Sequence, residues 1–238
     1  MISSIKSAVG GLFLAAGLTF AGAASAAITL DTTGLKSDAV LQFSPAATSA
    51  SSGAKIVFSA LGNATQLADV DVYDPDIEEN VTVSRFNMPV TKAKISIGWD
   101  LKITANSGES SRSALFIKRG INTIVLANFA IDFDKEIVYA DVIKNGVTTS
   151  KVQIYTFDVV EPQKISFKNL VLNQSVKIGN LLFTADAQTI LGDGLNLSAP
   201  LRAALASINF GDISVLVTSY KRTPKANATP FTAADVPN

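Results

Sequence analysis

Apolar and polar residues alternate along most of the chain, in short segments that turn-forming residues separate. A period of two is typical of strands with one buried face and one face in solvent. The pattern predicts strands at Lys55–Ala60, Val81–Phe86, Lys92–Ile97, Leu101–Ala105, Ala114–Lys118 and Thr123–Phe133. Because short turns join neighbouring strands in antiparallel pairs, the pattern favours an all-β fold.

The pattern is clearest between Asn128 and Val159. Ile137–Ile143 and Val152–Val159 both alternate, and Asn145-Gly146 lies between them. Asn-Gly is typical of a tight hairpin turn because both residues tolerate a positive φ. Together with the strand that ends at Phe133, these segments predict a three-stranded antiparallel meander.

Helical signals come late in the chain. Thr184 can cap a short helix over Ala185–Leu191, and Ser198 can cap a second one that contains Leu201 and Leu205. A last strand is predicted at Ile213–Val217. The sequence therefore predicts a mainly antiparallel β-sandwich with one or two short helices near the C-terminal end.

Two segments of the chain resemble each other. Leu41–Ala47 and Leu181–Ala187 both run from apolar residues through a Phe and a hydroxyl residue into small residues. A duplication that made two related halves would explain the likeness. The chemistry of capping a helix after a strand would also explain it, because that junction requires a hydroxyl residue.

The N-terminus has the three regions of a secretory signal peptide. Lys6 lies in a polar start, Ala8–Ala21 is apolar, and Ala24-Ser25-Ala26 is a small-x-small cleavage motif. The alternative is an N-terminal membrane anchor, for which the apolar run is short. Cleavage after Ala26 leaves a mature chain that starts at Ala27. The domain plan is thus a signal peptide (1–26), a β-sandwich domain (27–222) and a flexible tail rich in proline and small polar residues (223–238).

Composition excludes several classes of function. Twenty basic and twenty acidic residues give zero net charge, and no run of basic residues occurs, which argues against a nucleic-acid partner. The chain has no His and no Cys, so it lacks imidazole bases, thiol nucleophiles and the usual zinc ligands. It also lacks disulfides, and its stability must come from burial and strand pairing. No second apolar run is long enough to cross a membrane, so the mature chain is predicted to lack a span.

The densest group of charges is an acidic segment. Six carboxylates fall within residues 69–79, and Asp69, Asp71, Asp74 and Asp76 are the candidate ligands for Ca²⁺. Ca²⁺ prefers such oxygen ligands, although the segment lacks the spacing of an EF-hand loop. The alternative is a solvated acidic loop between strands. No other cofactor is indicated.

Paired carboxylates are also the groups that glycoside hydrolases use. Asp132 with Asp134, or Asp141 with Asp158, can meet across the meander. One would act as an acid and the other as a base or nucleophile. The alternative places all four on the solvent face of strands.

The order of these features resembles a group of exported β-rich bacterial proteins of unknown function. The likeness rests on the Ala-rich signal, the Val-Tyr-Ala-Asp-Val stretch at Val138–Val142, and a late strand–helix–helix–strand module. In this chain the module is Leu181–Ala187 followed by Leu201–Val217. The resemblance implies export and a β-rich fold, and it implies no particular activity.

The sequence thus predicts a non-catalytic structural, adhesive or matrix protein of the bacterial envelope or extracellular space. Its partners would be other envelope or matrix proteins, or further copies of itself. One alternative is a binding module for Ca²⁺ or for a small apolar or sugar ligand. The other is a hydrolase that uses carboxylates alone.

Overall fold

The structure is a computed structural model that describes residues 26–98, 103–168 and 171–237. The predicted signal peptide, apart from Ala26, lies outside the described residues, and so does Trp99. The described strands form one antiparallel sheet. They are β1 (Ala26–Asp31), β2 (Leu35–Phe43), β3 (Val57–Gly62), β4 (Thr65–Asp74), β5 (Glu79–Pro89), β6 (Lys92–Ile97), β7 (Ile103–Arg119), β8 (Asn122–Asp132), β9 (Ile137–Lys144), β10 (Val147–Lys168), β11 (Val171–Phe183) and β12 (Gly211–Lys221).

The sheet curls into a half-barrel. Its strand order is β1-β6-β7-β8-β9-β10-β11-β12-β2-β5-β4, and β3 pairs with β7 beside β6. Leu41 and Met88 on one wall face Phe129 and Ile131 on the other across the core. The two walls therefore pack as the layers of a sandwich do, although one continuous sheet forms both. The predicted all-β, mainly antiparallel class is confirmed.

The long strands bend where the backbone is irregular. The predicted strand Leu101–Ala105, whose described part begins at Ile103, and the predicted strand Ala114–Lys118 both fall on β7. This strand shifts register against β8 between Ser110 and Ala114. Arg112 lies in this bulge with a φ of 62°. The bulge lets the first half of β7 pair with β6 and the second half with β3, so one strand serves both neighbours.

The predicted hairpin at Asn145-Gly146 is confirmed. Val147 pairs with Lys144, which leaves only these two residues in the turn. Their φ angles are 52° and 76°, the left-handed pair that an Asn-Gly turn supplies. The turn therefore sets the register of β9 against β10.

Three short helices cover one end of the half-barrel. They are α1 (Pro45–Gly53), α2 (Ala185–Gly194) and α3 (Ala199–Leu205). The two late helices follow Thr184 and Ser198, as predicted. The Thr184 side chain caps its helix, whereas the Ser198 side chain makes no capping hydrogen bond. The first helix, α1, follows the hydroxyl cap at Ser44 that the sequence indicated, although its small residues carry little of the apolar periodicity that marks a helix in a sequence.

The two similar segments form the same junction in the structure. The Ser44 hydroxyl accepts a hydrogen bond from Ala47 N (3.0 Å) and donates one to the Asn209 carbonyl (2.6 Å). The Thr184 hydroxyl likewise accepts from Ala187 N (3.2 Å) and donates to the Gln153 carbonyl (2.5 Å). Each hydroxyl thus caps its own helix and ties it to a neighbouring segment, which is β10 for Thr184 and the loop before β12 for Ser44.

Aromatic rings join these two junctions inside the core. The Phe210 ring lies 5.3 Å from that of Phe43, next to the first junction. It lies 4.5 Å from that of Phe183, next to the second, and 5.8 Å from that of Tyr155. Burial raises the pKa of Tyr155 far above its usual value, so this hydroxyl stays neutral at any physiological pH.

The C-terminal segment departs from the flexible tail that the sequence predicted. Phe231 is buried against Ala114, Val125 and Ile143 on the outer face of the sheet. Arg112 forms an ion pair with Asp235 at 2.7 Å. Proline and small polar residues predict a loose segment only when no surface receives it, and the sequence pattern did not reveal the apolar site on the sheet.

Candidate functional site

A polar groove of about 640 Å³ lies on the outer face of β7, β8 and β9. Strand alternation explains its lining. Phe129 and Ile131 of β8 point into the core, so Ala130 and Asp132 point outward. In β9, Val138 points into the core and Tyr139 and Asp141 line the groove. A volume of this size is typical of sites for small ligands.

Two of the three carboxylates in the groove form ion pairs with lysines. Glu109 pairs with Lys92 at 2.9 Å, and Asp132 pairs with Lys135 at 3.2 Å. The hydrogen bond that the Lys135 ammonium donates to Asp132, together with the nearby Tyr139, raises the pKa of Lys135. The groove therefore offers ammonium donors and carboxylate acceptors next to each other.

The third carboxylate is held by amides. Asp141 accepts hydrogen bonds from Asn128 Nδ2 at 2.8 Å and from the backbone N–H of Lys151 at 2.9 Å. The Lys151 side chain is exposed at the groove wall. Three lysines and three carboxylates thus line the groove, and their charges balance.

The C-terminal segment forms one rim of the groove through Pro230. The Asn128 amide holds this rim, because it accepts from Phe231 N at 2.8 Å and donates to the Phe231 carbonyl at 2.9 Å. Further along, hydrogen bonds from Thr232, with help from Arg112, lower the pKa of Asp235. Asp235 therefore remains charged in its pair with Arg112 at neutral pH.

Asn128→Asp should release the C-terminal segment. The change removes the N–H donors to Phe231 and Asp141 and places a second carboxylate where the amide met Asp141. We expect a loss of about 2 kcal/mol in the stability of this attachment. Limited trypsin digestion should then cleave after Lys225, and hydrogen exchange should quicken over residues 223–237.

Asn180→Asp is the matched control for this change. Asn180 shares the left-handed backbone (φ 54° against 53°), and its amide donates to Asp158 at 2.7 Å, far from the C-terminal segment. The control should leave cleavage after Lys225 unchanged. Equal cleavage in the two variants would show that Asn128 does not hold the segment.

The candidate Ca²⁺ ligands do not form a metal cluster. Asp69 and Asp71 lie in β4 with exposed side chains, and the Asp71 carboxylate accepts from the Thr82 hydroxyl at 2.7 Å. Asp74 instead accepts from the backbone N–H of the exposed Asp76 at 3.0 Å. In the part of the chain that the structure describes, no three acidic side chains lie close enough to hold a metal ion. The segment is a strand and its turn, since Val70 and Val72 alternate with carboxylates that face water.

The candidate hydrolase pairs have separate partners. Asp132 binds Lys135, whereas Asp134 is exposed and accepts a long hydrogen bond from Asn106 at 3.5 Å. Asp141 lies in the groove, whereas Asp158 is exposed and pairs with Asn180 on β11. Only Asp132 and Asp141 therefore belong to the candidate site.

Two cavities inside the half-barrel are lined almost wholly by apolar side chains. One lies beneath α1 and α3, next to Phe58 and Leu201, and the other lies between the two walls of the sheet. Each holds about 40 Å³, which is room for one or two water molecules. The structure thus gives the small apolar ligand considered from the sequence no room in either cavity.

Sequence reasoning found Asp132 and Asp141 but missed the rest of the groove. Lys92 and Glu109 come from strands far from β9 in the chain, and the fold alone brings them beside Tyr139. The alternation at Ile137–Ile143 did place Tyr139 and Asp141 on one face, and this was the available signal.

Among the described helices, none is long and apolar enough to cross a membrane. No protein family, curated protein or solved structure matches this chain.

Proposed function

We propose that this protein is a non-catalytic, exported adhesive or matrix protein of a bacterial envelope or extracellular space, and that its polar groove binds a neutral carbohydrate. The observation that carries the proposal is the balanced set of charges in the groove. Glu109 and Asp132 each lie beside a lysine, and the Tyr139 ring lies among them.

This arrangement suits a ligand that is uncharged and rich in hydroxyls. A sugar hydroxyl can donate to a carboxylate and accept from the neighbouring ammonium, so paired charges meet both of its needs. A charged ligand would face one attractive and one repulsive partner at each pair. The apolar face of a sugar ring can pack on Tyr139, as apolar surfaces do on aromatic rings.

The same pairing supports binding without catalysis. A catalytic pair of carboxylates must both be free to act on one bond of the substrate. Asp132 is instead paired with Lys135, and Asp141 accepts two N–H donors from the protein. The geometry therefore favours holding a ligand over cleaving it.

Export is supported by the N-terminal pattern of Lys6, an apolar run and Ala24-Ser25-Ala26. Self-association is supported by the ends of the sheet. Within the described residues, the outer edges of β1 and β4 have no partner strand. Such edges can pair with a strand of another envelope protein or of a second copy.

The test compares the wild type with Tyr139→Ala for binding to the neutral and acidic fractions of the polysaccharide that the producing cells shed. We expect the wild type to bind the neutral fraction and Tyr139→Ala to bind about tenfold more weakly, a loss of about 1.4 kcal/mol. Tyr220→Ala is the control, because Tyr220 is exposed on β12 outside the groove. The proposal would be contradicted if the wild type bound the acidic fraction alone. It would also be contradicted if Tyr139→Ala and Tyr220→Ala weakened binding to the neutral fraction equally.

A further inference from the structure

Three apolar side chains project into solvent at one end of the half-barrel. Ile121 is 95% exposed in the β7–β8 turn, Val147 is 67% exposed just after the β9–β10 turn, and Val57 is 60% exposed at the start of β3. We name Val57, Ile121 and Val147 the hairpin-tip surface. Exposing an apolar side chain to water is unfavourable. Three exposed apolar side chains at one end of the fold therefore require an explanation.

The pairing of the strands brings the three tips together. Val57 pairs with Lys118, which is three residues from Ile121. Val125 of β8 pairs with Ile143 of β9, so the turns at 120–121 and 145–146 lie at the same end of adjacent strands. Neighbouring strands are about 4.8 Å apart, which places the tips within about 20 Å of one another.

Lysines surround these apolar tips. Lys55 and Lys118 are exposed, and Lys144 is half-buried at the base of the second turn, where the end of α2 at Gly194 lies beside it. The one acidic residue next to Gly194 is Asp193, and Arg202 already pairs with it at 2.5 Å. The hairpin-tip surface is therefore positively charged, although the whole chain has no net charge.

The tips stand on a rigid base. The Arg119 guanidinium donates to the carbonyls of Ala54, Leu195 and Asn196, at 3.0, 3.2 and 2.7 Å. These bonds tie the β7–β8 hairpin to the ends of α1 and α2. The tips are thus presented in a fixed arrangement, which lowers the entropy cost of inserting them into a partner.

We infer that the hairpin-tip surface docks the protein on an anionic lipid bilayer. Ile121, Val147 and Val57 would enter the headgroup region, while the lysines contact lipid phosphates. Separate apolar tips ringed by cations fit a bilayer interface, which accepts single side chains at any spacing. A protein partner would instead require a continuous apolar patch or groove at this end.

Docking at this end leaves the polar groove free. Asp132 lies at the opposite end of β8 from Ile121, about 30 Å away at the rise of a strand. The Asp132 end of the groove would therefore lie away from the lipid, while Lys151, four residues from Val147, lines the end nearer to it. This orientation goes beyond the proposed carbohydrate binding and does not depend on it.

The test is co-sedimentation of the protein, purified in the form that its cells accumulate, with two kinds of vesicle. One contains phosphatidylcholine alone, and the other contains 30% phosphatidylglycerol. The wild type should bind the anionic vesicles in low salt. Lys55→Gln with Lys118→Gln should weaken binding about 25-fold, at about fivefold for each lysine. The double variant Ile121→Ser, Val147→Ser should weaken it about tenfold or more.

Leu216→Ser and Lys164→Gln are the matched controls, because both residues are exposed on strands away from the hairpin tips. Both controls should bind as the wild type does. No wild-type binding to anionic vesicles would overturn the inference, and so would equal binding to both kinds of vesicle. Unchanged binding of the Ile121→Ser, Val147→Ser variant would also overturn it, because charge alone would then account for the attraction.

Discussion

Gly211→Ala should destabilise the protein by about 3 kcal/mol or more. Gly211 is the first residue of β12, with a φ of 132° that side chains rarely adopt. A Cβ on this residue would lie 2.0 Å from the Gln42 carbonyl oxygen and 2.9 Å from Ser44 N. Both are backbone atoms, so a methyl group there forces β12 away from β2 at the first helix junction.

Thermal unfolding followed by circular dichroism measures this effect. Gly53→Ala is the control, because a Cβ at Gly53 has open space around it at the end of α1. That variant should be neutral or slightly stabilising, since Ala favours a helix over Gly by about 1 kcal/mol. A Gly211→Ala protein that melts with the wild type would show that β12 does not approach β2 as described.

Phe210→Ala should cost about 3–5 kcal/mol. The Phe210 ring contacts the rings of Phe43 and Phe183, one at each strand-to-helix junction. Its removal leaves a cavity between both walls of the half-barrel, and the rigid strands on either side cannot close it. The loss should appear as a lower midpoint in urea unfolding with an unchanged slope.

Phe133→Ala is the comparison for Phe210→Ala. Phe133 is half-buried, and its one described ring contact is with Phe157 at 6.1 Å. We expect Phe133→Ala to lose about half as much stability as Phe210→Ala, because the half-buried Phe133 side chain removes less apolar surface from water on folding. Equal losses at the two positions would contradict the central place that the structure gives to Phe210.

Local signals in the sequence predicted much of the fold. Asn145-Gly146 fixed a hairpin because its φ angles are a property of the two residues themselves. The hydroxyls at Ser44 and Thr184 marked the ends of strands because a helix requires a cap at its first turn. Alternation at Ile137–Ile143 gave the correct inner and outer faces of β9. Each of these features depends on neighbours in the chain.

Features that depend on distant partners were not predicted. The alternation predicts two strands where the structure has β7, because Arg112 interrupts the pattern and only the pairing with β3 and β6 shows the continuity of the strand. The composition of the C-terminal segment predicts a loose tail, although Phe231 fits an apolar site on β7 and β8. The same limit applies to the groove, which Lys92 and Lys151 line together only because the fold pairs the strands between them.

The two helix junctions bear on the origin of the half-barrel. Their hydroxyls make matching bonds to the carbonyls of Asn209 and Gln153. Gln153 lies on β10, which neighbours β11, and Asn209 lies two residues before β12, which neighbours β2. A shared need for capping explains the bond within each helix. It does not require the second bond to a neighbouring segment, so the likeness goes beyond the cap alone.

Nuclear magnetic resonance tests most directly whether the polar groove binds a neutral carbohydrate. Neutral oligosaccharides released from the producing cells' own polysaccharide would be titrated into the isotope-labelled protein. We expect the amide signals of Asp132, Tyr139, Asp141 and Lys151 to shift and to saturate together, while the signals of the hairpin-tip residues stay unmoved. Saturable shifts confined to another surface, or no shifts at millimolar sugar, would contradict it.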